Sequence, residues 1–201
     1  VGGVSLASDT SVSWTGTDVI YSTGFEASFN KTGYAAGLTG PAGQQWSLDE
    51  ALIGTAAGSD RFNGAQAARI RDTAVTSHFA AMNFDVFGAQ QVRYYCARYG
   101  SDADGTLQLQ SSINSGGAWV NEGAAVSCAG TTLTLKSQNV SFAAANARFR
   151  LVKASGGRIN IDDFEVRANA APAPFNVSAA SSTGSTTATV TFDATPNTAQ
   201  A

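Results

Sequence analysis

Arg158-Ile159-Asn160-Ile161-Asp162-Asp163-Phe164-Glu165-Val166 reads as a strand whose alternation breaks in the middle. Ile159 and Ile161 share one face. Phe164 and Val166 would fall on the other face if the pleat simply continued, because successive strand side chains point to opposite sides. The phase slips at Asp162-Asp163. A β-bulge absorbs such a slip and keeps all four apolar side chains on one side. It also sets two adjacent carboxylates at a kink, where they repel each other unless solvent or a cation compensates. A hard cation with oxygen ligands, Ca²⁺ above all, is the natural compensator. The plainer alternative is that Asp162 and Asp163 are exposed, turn-forming carboxylates.

Outward from this stretch the chain keeps the same character. Short alternating runs separated by Gly, Asn, Asp and Ser dominate, and helical periodicity is nearly absent. Strands are predicted over Val19–Tyr21, Gln45–Leu48, Ala67–Arg71, His78–Asp85, Gln91–Tyr99, Thr106–Ser112, Ala118–Asn121, Thr132–Gln138, Arg148–Val152 and Arg158–Val166. This pattern predicts an all-β fold, a two-sheet antiparallel β-sandwich of jelly-roll topology. After Val166 the run Arg167 to Pro174 reads as a linker, and the strands predicted at Phe175–Ala180 and Thr187–Asp193 read as part of an immunoglobulin- or fibronectin-like module. The expected division is a linker or edge strand over residues 1–21, the sandwich over 22–168, a linker over 169–174 and the partial module over 175–201. A longer, multidomain parent chain is the expectation.

Composition bounds the partners. Charged residues make up 13% of the 201 residues, about half the usual quarter, and the net charge is −3. Only three Lys stand against nine Arg. A nucleic-acid binder is normally basic, so nucleic acid is not an expected partner. No apolar run is long enough for a membrane helix, so membrane insertion is not expected either. A charged segment followed by an apolar one is also lacking, and any secretion signal is expected to have been removed already. Two cysteines, Cys96 and Cys128, in a Lys-poor chain rich in Gly, Ser and Thr suit an oxidising compartment and a disulfide; two separate buried thiols are the alternative.

Several short motifs occur in a recognisable order: Gly24-Phe25-Glu26, Gly43-Gln44-Gln45-Trp46, Asp60-Arg61-Phe62-Asn63-Gly64, Ala68-Arg69-Ile70-Arg71, Gly116-Gly117-Ala118-Trp119 and Ile161-Asp162-Asp163. Over roughly residues 22–168 the chain resembles the jelly-roll accessory domains of secreted bacterial multidomain proteins. It is also similar to carbohydrate-binding modules and to adhesive domains that open with Phe-Glu and close with Asp-Asp. The resemblance implies a structural Ca²⁺ joining the first and last strands. Glu26 would supply one carboxylate, Asp162 or Asp163 another, and backbone carbonyls around Phe25 to Asn30 or near Asp162 the remainder.

A ligand could sit on a sheet face or on the loops at one end. Tyr95 and Tyr99 share a strand face with Arg93, and Arg69 and Arg71 share a face of another strand. If those strands are neighbours, the five side chains form one patch able to stack on sugar rings and to donate planar pairs of hydrogen bonds. Trp46 is a further candidate platform. The plainer alternative for each aromatic is a place in the core. No activated-serine elbow, thiol–histidine pair, phosphate loop or metalloprotease helix is present, and the single histidine is His78. Three readings follow: an extracellular, non-catalytic carbohydrate-binding module of a secreted enzyme; a structural or adhesive surface domain or subunit of an extracellular fibre; and a ligand-free spacer beside a secreted nuclease.

Overall fold

The computed structural model describes residues 17–71, 78–169, 177–184 and 187–192. Their strands, in chain order, begin with β1 (Thr17–Thr23), β2 (Gly37–Thr39), β3 (Trp46–Asp49), β4 (Ala51–Gly54), β5 (Ala67–Ile70) and β6 (Phe79–Met82). There follow β7 (Val86–Phe87), β8 (Ala89–Arg98), β9 (Gly105–Ser112), β10 (Val120–Asn121) and β11 (Val126–Cys128). The last are β12 (Thr134–Asn139), β13 (Asn146–Ser155), β14 (Ile159–Asn169), β15 (Val177–Gly184) and β16 (Thr187–Phe192). Among the described residues there is no helix.

Residues 16–169 form one compact unit. Its first sheet runs β12-β8-β14-β5-β4, with β1 also on β14, and its second runs β10-β9-β13-β6-β3-β2, with β11 on β9 and β7 on β13. All pairings are antiparallel, and consecutive long strands (β8 to β9, β12 to β13 to β14) cross between the sheets. The chain is thus a two-sheet β-sandwich. β1 pairs with β14 from Thr17 to Thr23, so the described end of the segment expected as a linker or edge strand is a strand of this sheet. The other unit comprises residues 1–15 and 170–201; within it β15 and β16 form an antiparallel hairpin. Phe175 and Asp193, at the outer ends of the two strands expected there, lie outside the described residues.

The bulge stands where the sequence places it. β14 pairs Asp162 with Tyr95 but Glu165 with Arg93, so one extra residue is inserted on the β14 side. Asp163 takes a left-handed backbone, φ 45°, at that point. Ile159, Ile161, Phe164 and Val166 are all fully buried as a result. Phe164 packs edge-on against Trp46, 4.9 Å between ring centres, and stacks near Tyr94 at 6.4 Å. At roughly 1.5–3 kcal/mol per buried side chain, these four are a substantial part of what holds the sheets together. The disulfide Cys96–Cys128 is formed and ties β8 of one sheet to β11 of the other.

Candidate functional site

The bulge lies at a change of partner. On the side of β14 away from β8, Ile159 to Ile161 pair with β5, and Phe164 to Asn169 pair with β1. Asp162 and Asp163 fall in the gap between those two strand ends. The chain at Gly24 to Glu26 and at Asn63 to Gln66 fills it. The Asn63 amide N–H donates to Asp162 Oδ2 at 2.6 Å, and the Asn63 side-chain amide donates to Asp163 Oδ2 at 3.1 Å. The Ala65 N–H donates to Glu26 Oε1 at 3.1 Å. A Cβ placed on Gly24 would meet Asp163 Oδ1 at 3.4 Å, Glu26 Cγ at 3.6 Å and Asp162 Oδ1 at 3.7 Å, so the three acidic side chains surround one backbone position. Gly64, with φ 106° and no room for a Cβ beside the Glu26 carboxylate, lets the loop approach that closely.

Asp162 is completely buried. Burial, with the like charges of Asp163 and Glu26, pushes its carboxyl up to about 7, against the bonds it accepts from the Asn63 and Asp163 amides. Phe25 and Asp163 both carry left-handed φ angles, 55° and 45°, a conformation that costs about 1–3 kcal/mol for a residue with a side chain. Two carbonyls of the stretch expected to supply further ligands each accept one hydrogen bond, from the Gln66 side-chain amide to Phe25 O at 2.6 Å and to Phe29 O at 2.7 Å. Among the described residues, no three His, Cys, Asp or Glu side chains already stand as a metal-holding group.

The five-residue patch expected from Arg93, Tyr95, Tyr99, Arg69 and Arg71 is not one surface. β14 lies between β8 and β5, so the two strands are not neighbours. The segment from Ala56 to Gln66 folds over the gap. Asp60, with a fully buried side chain, takes both oxygens to Arg69 Nη1 at 2.8–2.9 Å and accepts from Asn160 Nδ2 at 2.8 Å. Arg69 is therefore a structural cation. Its guanidinium carbon also lies 4.6 Å from the Tyr99 ring centre, and that of Arg158 lies 4.0 Å from the same ring. Tyr99 is thus covered by arginines and offers little ring to a sugar. Arg71 pairs with Glu50 at 2.9 Å and lies over Tyr34. Trp46, expected as a platform, is core: it is 0% exposed and donates its indole N–H to the Tyr21 hydroxyl at 2.7 Å.

Arg93 and Tyr95 remain on open surface. Tyr95 stands beside Leu135 on one neighbouring strand and Asp162 on the other, and Arg93 stands between Ser137 and Glu165. Two clefts meet at Tyr95. One, of about 630 Å³, is bounded by Ala57 to Asn63 and Thr131 to Leu133. The other, of about 330 Å³, is bounded by Ser22 to Gly24 and Phe164 to Glu165; Tyr95 and Asp163 line both. Arg61 and Phe62 in the first cleft were not legible as site residues. Arg61 Nε is buried there without a hydrogen-bond partner. Their only signal was the motif Asp60-Arg61-Phe62-Asn63-Gly64, which shows nothing of the fold-back that places it.

No protein-family profile matches the sequence, and no curated protein matches it. Solved structures do. The CBM22-1 xylan-binding domain of Paenibacillus barcinonensis Xyn10C superposes with a TM-score of 0.51 at 14% identity, over 77% of this chain and 97% of that one. The likeness is one of fold. A mutant of a family 29 carbohydrate binding module gives 0.48 at 14% identity, over 77% and 92% of the two chains. TmCBM61 in complex with β-1,4-galactotriose gives 0.45 at 18% identity, over 72% and 93%.

Proposed function

We propose that residues 16–169 are a non-catalytic glycan-binding module of a secreted multidomain protein. The observation that carries this reading is the junction of two clefts at Tyr95, on an open sheet face where Arg93, Ser137, Glu165 and Asn63 offer hydrogen-bonding groups beside an aromatic ring. Sugar rings stack on such a ring, and hydroxyls bond to arginine, amide and carboxylate. A neighbour described as a xylan-binding domain shares the fold, which makes neutral polysaccharides the first probes. The disulfide supports an extracellular location. Affinity electrophoresis against xylan, galactan and mannan is the test. At least one should retard the protein, and Tyr95→Ala or Arg93→Gln should weaken the retardation about tenfold or more. Retardation by none, or equal retardation of both variants, overturns the reading.

The same reading includes a structural Ca²⁺ held by Glu26, Asp162 and Asp163. The buried, like-charged surroundings of Asp162 support it, since no cation lies against that carboxylate among the described residues. Oxygen donors of this kind suit Ca²⁺. The ion would supply positive charge between the end of β1 and the bulge of β14.

A further inference from the structure

The second sheet carries an arginine with aromatic neighbours and no acid. Arg150, on β13, projects from the outer face. Its guanidinium carbon lies 4.4 Å from the Trp119 ring centre and 5.4 Å from that of Phe79. Its Nε–H donates to Gln110 Oε1 at 2.6 Å, and the Gln110 amide in turn donates to Asn121 Oδ1 at 2.7 Å. Arg150 makes no ion pair among the described residues. Burial alone lowers its pKa, with no carboxylate acting the other way.

The nearby acids are engaged elsewhere. Asp85 binds Arg148 Nε at 2.6 Å and the Ser115 hydroxyl at 2.7 Å. Glu122 accepts from the Ser111 hydroxyl at 2.6 Å, and the charge of Asp49 acts on Lys31. The turn that leads into Trp119 is closed by two side chains. The Gly116 N–H donates to Ser112 Oγ at 2.9 Å, and the Ala118 N–H donates to Asn114 Oδ1 at 2.8 Å. The guanidinium is thus oriented by Gln110 and by two rings, and its terminal nitrogens keep donors that no described residue uses. A preset planar fork of this kind matches a carboxylate. The amide of the exposed Asn121 lies one residue further along the same row and suits a hydroxyl.

We infer that this face is a second binding site, for a saccharide carrying a carboxylate, that is, a hexuronate unit. The carboxylate takes the two terminal nitrogens of Arg150, and sugar hydroxyls take Asn121. This extends the glycan reading to the opposite sheet and does not depend on Tyr95. Titration calorimetry of the whole chain with tetragalacturonic acid, with neutral galactotetraose of the same linkage and with hexaglutamate tests it. Tetragalacturonic acid should bind, weaken as salt rises, and lose about tenfold or more in affinity in Arg150→Gln, while Arg150→Lys retains part of it. Tyr95→Ala should bind it as the parent does, which separates this site from the first. Equal affinity for the neutral tetrasaccharide or for hexaglutamate, no binding of tetragalacturonic acid, or an unchanged affinity in Arg150→Gln overturns the inference.

Discussion

The two halves of β14 have the same inner face and opposite outer ones. Both bury aliphatic or aromatic side chains inward, Ile159 and Ile161 in the first half, Phe164 and Val166 in the second. Outward, the first half presents Asn160 and Asp162, both completely buried beneath the segment from Ala56 to Gln66. The second presents Glu165 and Arg167, half-exposed beside Arg93. Polarity alone therefore does not mark an open face. The covered half keeps its polar groups beneath a loop, whereas the open half pairs Glu165 with Arg167 and Arg93 at the surface, where solvent reaches them.

The largest effect expected from breaking this contrast is at Arg69. Arg69→Ala strands the fully buried Asp60 carboxylate, and loss of one partner of a buried pair costs about 3–5 kcal/mol. Urea denaturation should show it, whereas a change near zero would mean that water reaches Asp60. Replacing both Cys96 and Cys128 by Ser opens a loop of 32 residues and should cost roughly 4 kcal/mol by the same measurement.

The bulge between the halves titrates. In the metal-free chain Asp162 has a folded pKa of about 7, above the usual carboxylate value near 4. The folded chain therefore holds a proton that the unfolded chain releases. Stability present below pH ~4 is lost as pH rises through about 7. Ca²⁺ should reverse that loss, by roughly 3 kcal/mol at a hundredfold excess over its Kd, and should do less at pH 5 than at pH 8. Thermal melts with Ca²⁺ or chelator at both pH values check it. In Asp162→Asn the pH slope between 5 and 8 should flatten and the Ca²⁺ response should fall. The smallest effect belongs to the open half: Arg93 and Glu165 stand 3.8 Å apart and partly exposed, so Arg93→Ala should cost less than about 1 kcal/mol.

The bulge was legible in the sequence because it is a local fact: four apolar residues and a slip of phase. β4 was not, since Ala51 to Gly54 is a short run buried throughout, with no alternation to read. Nor was the cover over the first half of β14. It depends on bonds such as Asn160 to Asp60 and Asn63 to Asp162, which join residues about a hundred positions apart. That is why Arg69 and Tyr99 read as a ligand patch in sequence and prove to be tied down in the fold. Trp46 failed for a similar reason, its partners Tyr21, Phe25 and Phe164 being scattered along the chain.

The most direct test of the open half as a glycan surface is an amide NMR titration with a neutral xylo- or galacto-oligosaccharide that retards the protein. Binding there predicts saturable shifts at Arg93, Tyr95, Leu135 and Ser137, absent in Tyr95→Ala. Saturable shifts confined to other parts of the sandwich, or no shifts at millimolar sugar, would contradict it.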